Sequence, residues 1–535
     1  MPADGSNKRL PSCRASSYDP FRMKPATESV PAPSAAHESD PDRHYILAAL
    51  MLVMSLASLE QTVTSTAMPT IIGELQGLEH YAWVASIYLL ASIITMPLYG
   101  RLTDKLGRKR VILFTIVLFT AGSVLASFSR NMHELILYRG IQGLGAGGIM
   151  PVVLTILADI YSLEERARVQ GFFSAVWGIA ALTGPPLGAF LVKTLGWRSI
   201  FYVNFPFAML GIAVLAWKYV DRSPRHAVDL NLPGITSLAV ACTALLAVLS
   251  GMGPGGWPVP LLVTCAITAV IAFTYFLLHE RRARQPILPP EIIFNRAIGP
   301  SLMGMFLLGL CVMGVDTYVP LYVQGARGGG PGSAAGVVTP VILTWAISNF
   351  AIAPFFVGWG FRKTALIGAT LVLTGLTGVL ICTLVEAPQV VLSGILAVVG
   401  LGFGPCSLAY LLSAQDAAPL KQRGSVTGSV SFFRSMGGAL GVGLLGALIN
   451  ILMLPQIKHL HELGFTPGDA LDPSRHTSLP PELLHKIQHA IGHALLWVFV
   501  TMAALAFIQV FISIAMPRKY ATHKPSASDA FEAAG

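Results

Sequence analysis

The sequence predicts an all-α integral membrane protein of fourteen transmembrane helices: two six-helix pseudo-repeat bundles plus two inserted central helices. Three observations carry that expectation. Of the 535 residues, 53% are hydrophobic and only 12% charged, about half the ~25% charge of an average soluble domain. The apolar residues fall in runs close to the ~20 that cross a hydrocarbon core. A weak internal repeat also relates the first half of the chain to the second. This composition excludes a soluble enzyme, a nucleic-acid binder and a disordered scaffold. The net charge of +9 then reads as basic loops on one membrane face.

Residues 1–43 are polar, rich in Pro, Ser and Ala, and lack an apolar h-region, so a disordered tail is expected rather than a signal peptide. Spans 1 to 6 are expected at 45–69, 82–100, 111–129, 134–158, 168–191 and 199–219, as an N-terminal bundle within 44–220. Spans 7 and 8, at 232–250 and 259–278, form an insert with its linkers over 221–296. Spans 9 to 14 are expected at 298–322, 337–357, 365–383, 390–413, 425–452 and 490–515. They make a C-terminal bundle over 297–516 with an external loop at 453–489, before a tail at 517–535. With the N-terminus inside, the inner segments hold 27 Lys and Arg and the outer loops 7. That excess orients both termini to the cytoplasm, in a cytoplasmic (inner or plasma) membrane.

Chemistry that the chain lacks narrows the class. Five of the six cysteines lie in apolar runs and none forms a CxxC pair, so neither a disulfide framework nor a metal site is expected. No phosphate loop or zinc-binding HExxH helix occurs, so no cofactor and no enzyme activity are expected. Gly143-Leu144-Gly145-Ala146-Gly147-Gly148 fits a dinucleotide fingerprint but lies inside span 4, where small residues serve close helix packing. The repeat places Glu60 before Gly100 and Asp316 before Gly358, followed by the loops GRLTDKLGRKR and GWGFRKT. Parallel repeats of this kind surround a central site in secondary transporters.

Charges inside spans are costly and functional by default. Glu60 lies roughly 22 Å from the cytoplasmic end of span 1, and Arg139 roughly 8 Å from the outer end of span 4. In a core of about 30 Å these depths coincide, so the two are expected to meet in the outer half. A carboxylate caught between lipid and guanidinium can exchange a proton as its partner changes; the plainer alternative is a fixed ion pair. Asp316, near the outer end of span 9, is a candidate for attracting cationic substrate or for a second proton site. Arg434, near the midplane of span 13, needs a partner that the sequence does not name. Gln61, Gln142 and Gln324 are candidate lining groups or helix-to-helix bonds. In the 100–110 loop, Gly100 and Gly107 are expected to make a tight turn, and Asp104 to cap a helix or pair with Arg108. Gly184, Pro185, Pro186 and Gly188 are expected to break span 5 as a hinge or seal. His459, His461, His476, His485, His489 and His493 gather around the last outer loop; solvated histidines are the commoner reading there, metal the rarer.

These residues carry a resemblance. Gly100 to Arg110 resembles the loop 2–3 signature of the major facilitator superfamily. Leu59-Glu60-Gln61-Thr62-Val63 through Met68-Pro69 resembles the span 1 motif of its fourteen-helix drug:proton antiporter branch. Arg139-Gly140-Ile141-Gln142-Gly143 resembles that branch's span 4 motif, and Gly184-Pro185-Pro186-Leu187-Gly188 its antiporter motif. Trp197-Arg198-Ser199-Ile200-Phe201 with Asn204 and Pro206 resembles the span 6 entry. Glu280 to Phe294, Pro320 to Gln324, and Arg423-Gly424 with Arg434 extend the likeness over residues 44–516. Glu60 stands where the branch usually has aspartate, and Ala189 where its span 5 motif ends in glycine. The resemblance implies proton-coupled export of drugs or other amphipathic, including cationic, compounds by a monomer in the lipid bilayer, with no nucleic-acid partner. In the resembling family the loop 2–3 latches the two halves, which implies Gly100, Asp104, Gly107 and Arg108 as a conformational switch; from their depth and chemistry, Glu60 is expected to bind the coupling proton and Arg139 to tune its affinity. A dedicated exporter of one metabolite or self-made antibiotic shares every motif; a proton-coupled importer or a membrane sensor is a more distant alternative.

Overall fold

An unpaired backbone amide in hydrocarbon costs several kcal/mol, so an apolar run must close its hydrogen bonds within itself, and here each run becomes a helix. The computed structural model describes residues 42–75, 81–221, 231–251, 257–283, 286, 293, 295–418, 422–462 and 481–518. Among these, thirteen helices are long and apolar enough to cross a membrane, and a bent pair supplies a fourteenth span. They are Arg43–Thr64 (span 1), Trp83–Leu106 (2), Arg108–Ser127 (3), Met132–Ile160 (4), the bent Leu163–Gly184 with Pro186–Leu195 (5), and Ser199–Lys218 (6). Leu232–Leu249 (7) and Val259–Glu280 (8) follow, then Gly299–Ala326 (9), Gly332–Phe356 (10), Gly358–Leu384 (11), Gln389–Ala417 (12), Arg423–Met453 (13) and Leu484–Ile514 (14). Of the expected tails, all but Asp42, Arg43, Pro517 and Arg518 fall outside the described residues.

Local chemistry sets the ends. Gly107, at φ 91°, divides span 2 from span 3, and Gly360, at φ 72°, breaks the helix Pro331–Leu384 in the first turn of span 11; both are positive-φ conformations that suit glycine. The Asn131 side chain accepts from the Glu134 N–H at 2.9 Å and caps span 4. Ser162 and Glu165 form a capping box, which starts the fifth helix at Leu163, ahead of the apolar run expected from 168. That helix bends by 48° between Gly184 and Pro186. One expectation is corrected here: Gly100 makes no turn, because the second helix continues through it to Leu106. Between spans 13 and 14, helix continues past Met453 to Glu462 and resumes at Pro481. Proline suits a first helical turn, and Pro481 opens the last helix.

Packing follows the repeat. Spans 1, 5 and 6 pack together, as do 2, 3 and 4; spans 9, 13 and 14 pack together, and 12 packs against 10 and 11. Across the middle, span 2 packs on span 13 and span 5 on span 10. These two seams exchange under the repeat, which carries span 2 to 10 and span 5 to 13. A side chain on Gly143 or Gly147 would strike the backbone of span 2, and one on Gly145 that of span 3. The glycine-rich stretch of span 4 therefore brings backbones into close contact. Spans 7 and 8 pack on each other and lie over the seam between spans 2 and 13.

Candidate functional site

The described residues place polar groups at three levels: one beside Glu60, one around Arg434, and one at the face that carries loop 2–3.

Glu60 is 2% exposed and every contact it makes is a donor. Its Oε1 accepts from Arg139 Nη1 at 2.5 Å and from Thr64 Oγ1 at 2.9 Å. Its Oε2 accepts from Asn204 Nδ2 at 2.6 Å. Asn204 is itself within 3.4 Å of Ser123 Oγ, which donates to the Phe201 carbonyl at 2.7 Å. The Arg139 guanidinium lies 4.3 Å from the Tyr88 ring centre, and its Nη1 also donates to Gln142 Oε1 at 2.7 Å. Arg139 Nε and Gln142 Nε2 are buried with no hydrogen-bond partner, so this arginine holds a spare donor. Spans 1, 2, 4 and 6 thus build one desolvated ion pair, a contact that is strong when intact and expensive to break from one side.

Arg434 borders a cavity of only about 20 Å³ lined by Gln170, Ser407, Ser431 and apolar neighbours from spans 4, 5, 9, 12 and 13. A single water requires roughly 10–15 Å³ of such space, so nothing larger fits. The guanidinium lies 5.9 Å from the Trp345 ring centre. Its electrostatic partner is Asp316. Asp316 itself is exposed on span 9. Gln142 is fully buried with Glu60 and Arg139, away from Arg434. Gln61 is exposed within hydrogen-bond reach of Tyr88, and Gln324 lies half-buried in a short π-helix, Tyr322–Ala326.

At the loop 2–3 face the two halves are tied together. Asp104, 3% exposed, caps the helix of span 13: Gly424 N–H donates at 3.2 Å, Ser425 N–H at 2.9 Å and Ser425 Oγ at 2.8 Å. Arg108 lies 3.6 Å from Asp104 and donates through Nε to Asp159 at 2.9 Å. Arg423 reaches across from span 13 to Asp159 at 3.1 Å and to the Ala158 carbonyl at 2.9 Å. Arg166 donates to Gln415 at 3.2 Å in the reverse direction, within the field of Asp416. Gly100 and Gly428 let the helices touch: their Cα atoms face each other, and a Cβ on Gly428 would come within 3.0 Å of Gly100 Cα.

The reading of the sequence missed Asp159, Arg166, Gln415 and Asp416, and gave Arg423 no contact. A signal was present. Asp159 precedes Arg166 by the same interval as Asp416 precedes Arg423, and the structure pairs Asp159 with Arg423 and Arg166 with the Asp416 side. Arg362, the counterpart of Asp104 in the second half, instead donates from Nε to the Met516 carbonyl at 2.7 Å, a cation at a helix C-terminus. Of the outer histidines, His485, His489 and His493 are exposed. His476 and the side chains of His459 and His461 lie outside the described residues. Among the described residues no group of three or more His, Cys, Asp or Glu is placed to hold a metal.

Comparison with known proteins agrees with this architecture. The chain is 31% identical to the multidrug transporter protein MdtP of Bacillus subtilis, over 76% of this chain and 75% of that protein. It is 27% identical to multidrug resistance protein 3 of the same organism, over 85% and 91%. Among solved structures, the human organic anion transporter MFSD10 superposes with a TM-score of 0.60 at 14% identity, over 89% of this chain and 100% of that one. A double-tryptophan mutant of XylE gives 0.58 at 16% identity, over 92% and 99%; at such identities the likeness is one of fold alone. The family model described as Major Facilitator Superfamily matches residues 50–442, and the chain belongs to that superfamily of membrane transporters.

Proposed function

We propose that this protein is a proton-driven exporter of drugs or other amphipathic compounds, cations among them, with both termini in the cytoplasm of a cell bounded by the membrane it spans. On this reading residues 44–220 and 297–516 are two halves that rock about a central site, and 221–296 is an insert. The observation that carries the proposal is the buried Glu60 carboxylate, held only by donors, one of them an arginine with a spare N–H. The names of the B. subtilis relatives support the substrate class.

The cycle runs as follows. With the loop 2–3 face closed, Glu60 is reached by protons from the opposite, outer face. A proton on Glu60 Oε removes the charge that Arg139 neutralises. Breaking a buried pair from one side costs ~3–5 kcal/mol, and reversing a two-state preference from 1:99 to 99:1 needs ~5.5 kcal/mol. Protonation is therefore of the right size to drive Arg139 to another partner and the halves to their other arrangement. There the proton leaves to the cytoplasm and the substrate enters between the halves, with Asp316 favouring cations and Arg434 and Trp345 forming the floor. Gln61 and Gln324 line the outer approach, and the bend at Gly184, Pro185, Pro186 and Gly188 absorbs the motion.

The test uses everted membrane vesicles with an acid interior and a panel of lipophilic cations, neutral drugs and sugars. Collapse of the gradient by several unrelated amphiphiles is the expected result. Collapse by one compound alone would replace this reading with a dedicated exporter. No collapse by any member of the panel would overturn it.

A further inference from the structure

An arginine within the hydrocarbon layer persists where acceptors or water meet it, and its guanidinium offers five N–H donors and no acceptor. Arg139 meets that demand through Glu60 and Gln142. Arg434 does not. It lies roughly 16 Å along the helix that begins at Arg423, close to the midplane of a core of about 30 Å. Among the described residues no hydrogen bond or ion pair holds its guanidinium. What it has is the face of Trp345, with the ring centre 5.9 Å away, and the longer-range field of Asp316. It borders the small cavity between the halves, whose walls come from Leu154 and Gln170 of spans 4 and 5 on one side and from Ser407 and Ser431 of spans 12 and 13 on the other. No acid lines this cavity among the described residues. Ser407 and Ser431 give their protons to the Gly404 and Thr427 carbonyls at 2.9 and 3.0 Å. The Gln170 side chain has no hydrogen-bond partner among the described residues, and the Trp345 Nε1–H beside the arginine is buried and likewise unpartnered. A positive charge and two further unused donor groups thus gather at the seam.

We infer that Arg434, with Gln170 and Trp345, is a subsite for a carboxylate carried by the exported amphiphile. The inference rests on the export reading above and deepens it by naming one chemical group of the cargo. A carboxylate presents two coplanar oxygens that the guanidinium fork binds through parallel N–H···O bonds. A lone cation would meet like charge at this point, and a neutral compound would leave the buried arginine unbalanced. In the closed arrangement the cavity is too small for any such cargo. Opening the loop 2–3 face separates its two walls, so that Arg434 on one half and Gln170 on the other come to flank the entry path.

The full-length protein in nanodiscs is dialysed at neutral pH against radiolabelled naphthylacetate, its methyl ester or tetraphenylphosphonium, with empty nanodiscs as blank. No gradient is applied, so a failure of proton-driven export leaves this readout untouched, and a failure here leaves gradient-driven export standing. Wild-type protein should bind the carboxylate roughly 10- to 150-fold more tightly than the ester, the range of hydrogen bonds to a charged group. Arg434→Gln should remove that preference and bind tetraphenylphosphonium more tightly, which also shows that the variant folds. Trp345→Phe keeps an aromatic face and loses the N–H, and should weaken the carboxylate alone by roughly 2- to 10-fold. Acetate should displace naphthylacetate better than chloride at equal concentration. Equal affinity of the wild type for acid and ester would overturn the subsite without any variant. Equal loss of carboxylate and cation in Arg434→Gln would reduce the arginine to a structural role and overturn it too. Displacement by chloride ahead of acetate would make this a halide site and overturn the carboxylate assignment.

Discussion

Asp104→Asn is the perturbation that isolates the latch. The native carboxylate accepts two backbone N–H groups and a serine hydroxyl at the head of span 13, all at 2.8–3.2 Å, and lies 3.6 Å from Arg108. Asparagine keeps the volume and one acceptor, but turns an amide donor toward the other donors and removes the charge. Losing an N-cap costs ~0.5–2 kcal/mol, and losing a hydrogen bond to a charged group ~1.5–3 kcal/mol. Arg108 keeps Asp159, and the Arg423 and Arg166 contacts still join the halves, so a net loss of about 1.5–3 kcal/mol is reasonable. That shifts the opening equilibrium by roughly 10- to 150-fold, at 1.4 kcal/mol per factor of ten. Ser431, 3% exposed beside Arg434 in the closed cavity, offers a reporter. A Ser431→Cys protein should react slowly with a bulky, charged thiol reagent applied from the loop 2–3 face, and Asp104→Asn should raise that rate by the same factor. An unchanged rate in a folded protein would show that the cap does not hold this face shut.

Further predictions concern other residues. Gly428→Leu would drive a side chain into Met96 and Gly100 of span 2; the variant should fold but lose the short distances across this face and all transport, and native-like distances would contradict the close-approach argument. Asp316→Asn should abolish export of cations while neutral substrates are still carried, because it removes the charge of an exposed carboxylate on span 9; equal loss of both classes would remove its selective role. At the other face, hydrogen bonds from Arg198 and Trp197 hold the Glu74 carboxyl below its ordinary range. A group with a lowered folded pKa stabilises above its unfolded value, ~4.3 for Glu, and loses that contribution as pH falls through the folded value. Thermal melts should therefore show a small acid-side loss that Glu74→Gln flattens, and identical acid limbs would refute the contact.

The helices were legible because lipid demands about 20 apolar residues per span and tolerates few charges. The meeting of Glu60 with Arg139 was legible for the same reason: two costly charges at matched depth have few other partners. The groups that complete the site were not. Thr64 and Asn204 are neutral, and polar neutral residues occur throughout these spans. Asp159, Arg166, Asp416 and Arg423 lie at span ends, where charges also serve as topology anchors, so only their repeated spacing distinguishes them. Gly100 looked like a turn because glycine followed by charge usually is one; its close approach to Gly424 and Gly428 depends on a helix more than three hundred residues away in sequence. The seat of spans 7 and 8 could not be read either, since lipid-facing and protein-facing sides of these helices are equally apolar.

The central claim is that Glu60 gives up a proton when substrate binds. It is tested most directly by purified protein in an unbuffered detergent solution containing a pH-sensitive dye, to which a lipophilic cation is added. Wild-type protein should release protons, and Glu60→Gln should bind the same cation and release none. Release from Glu60→Gln equal to that of wild type would contradict the account.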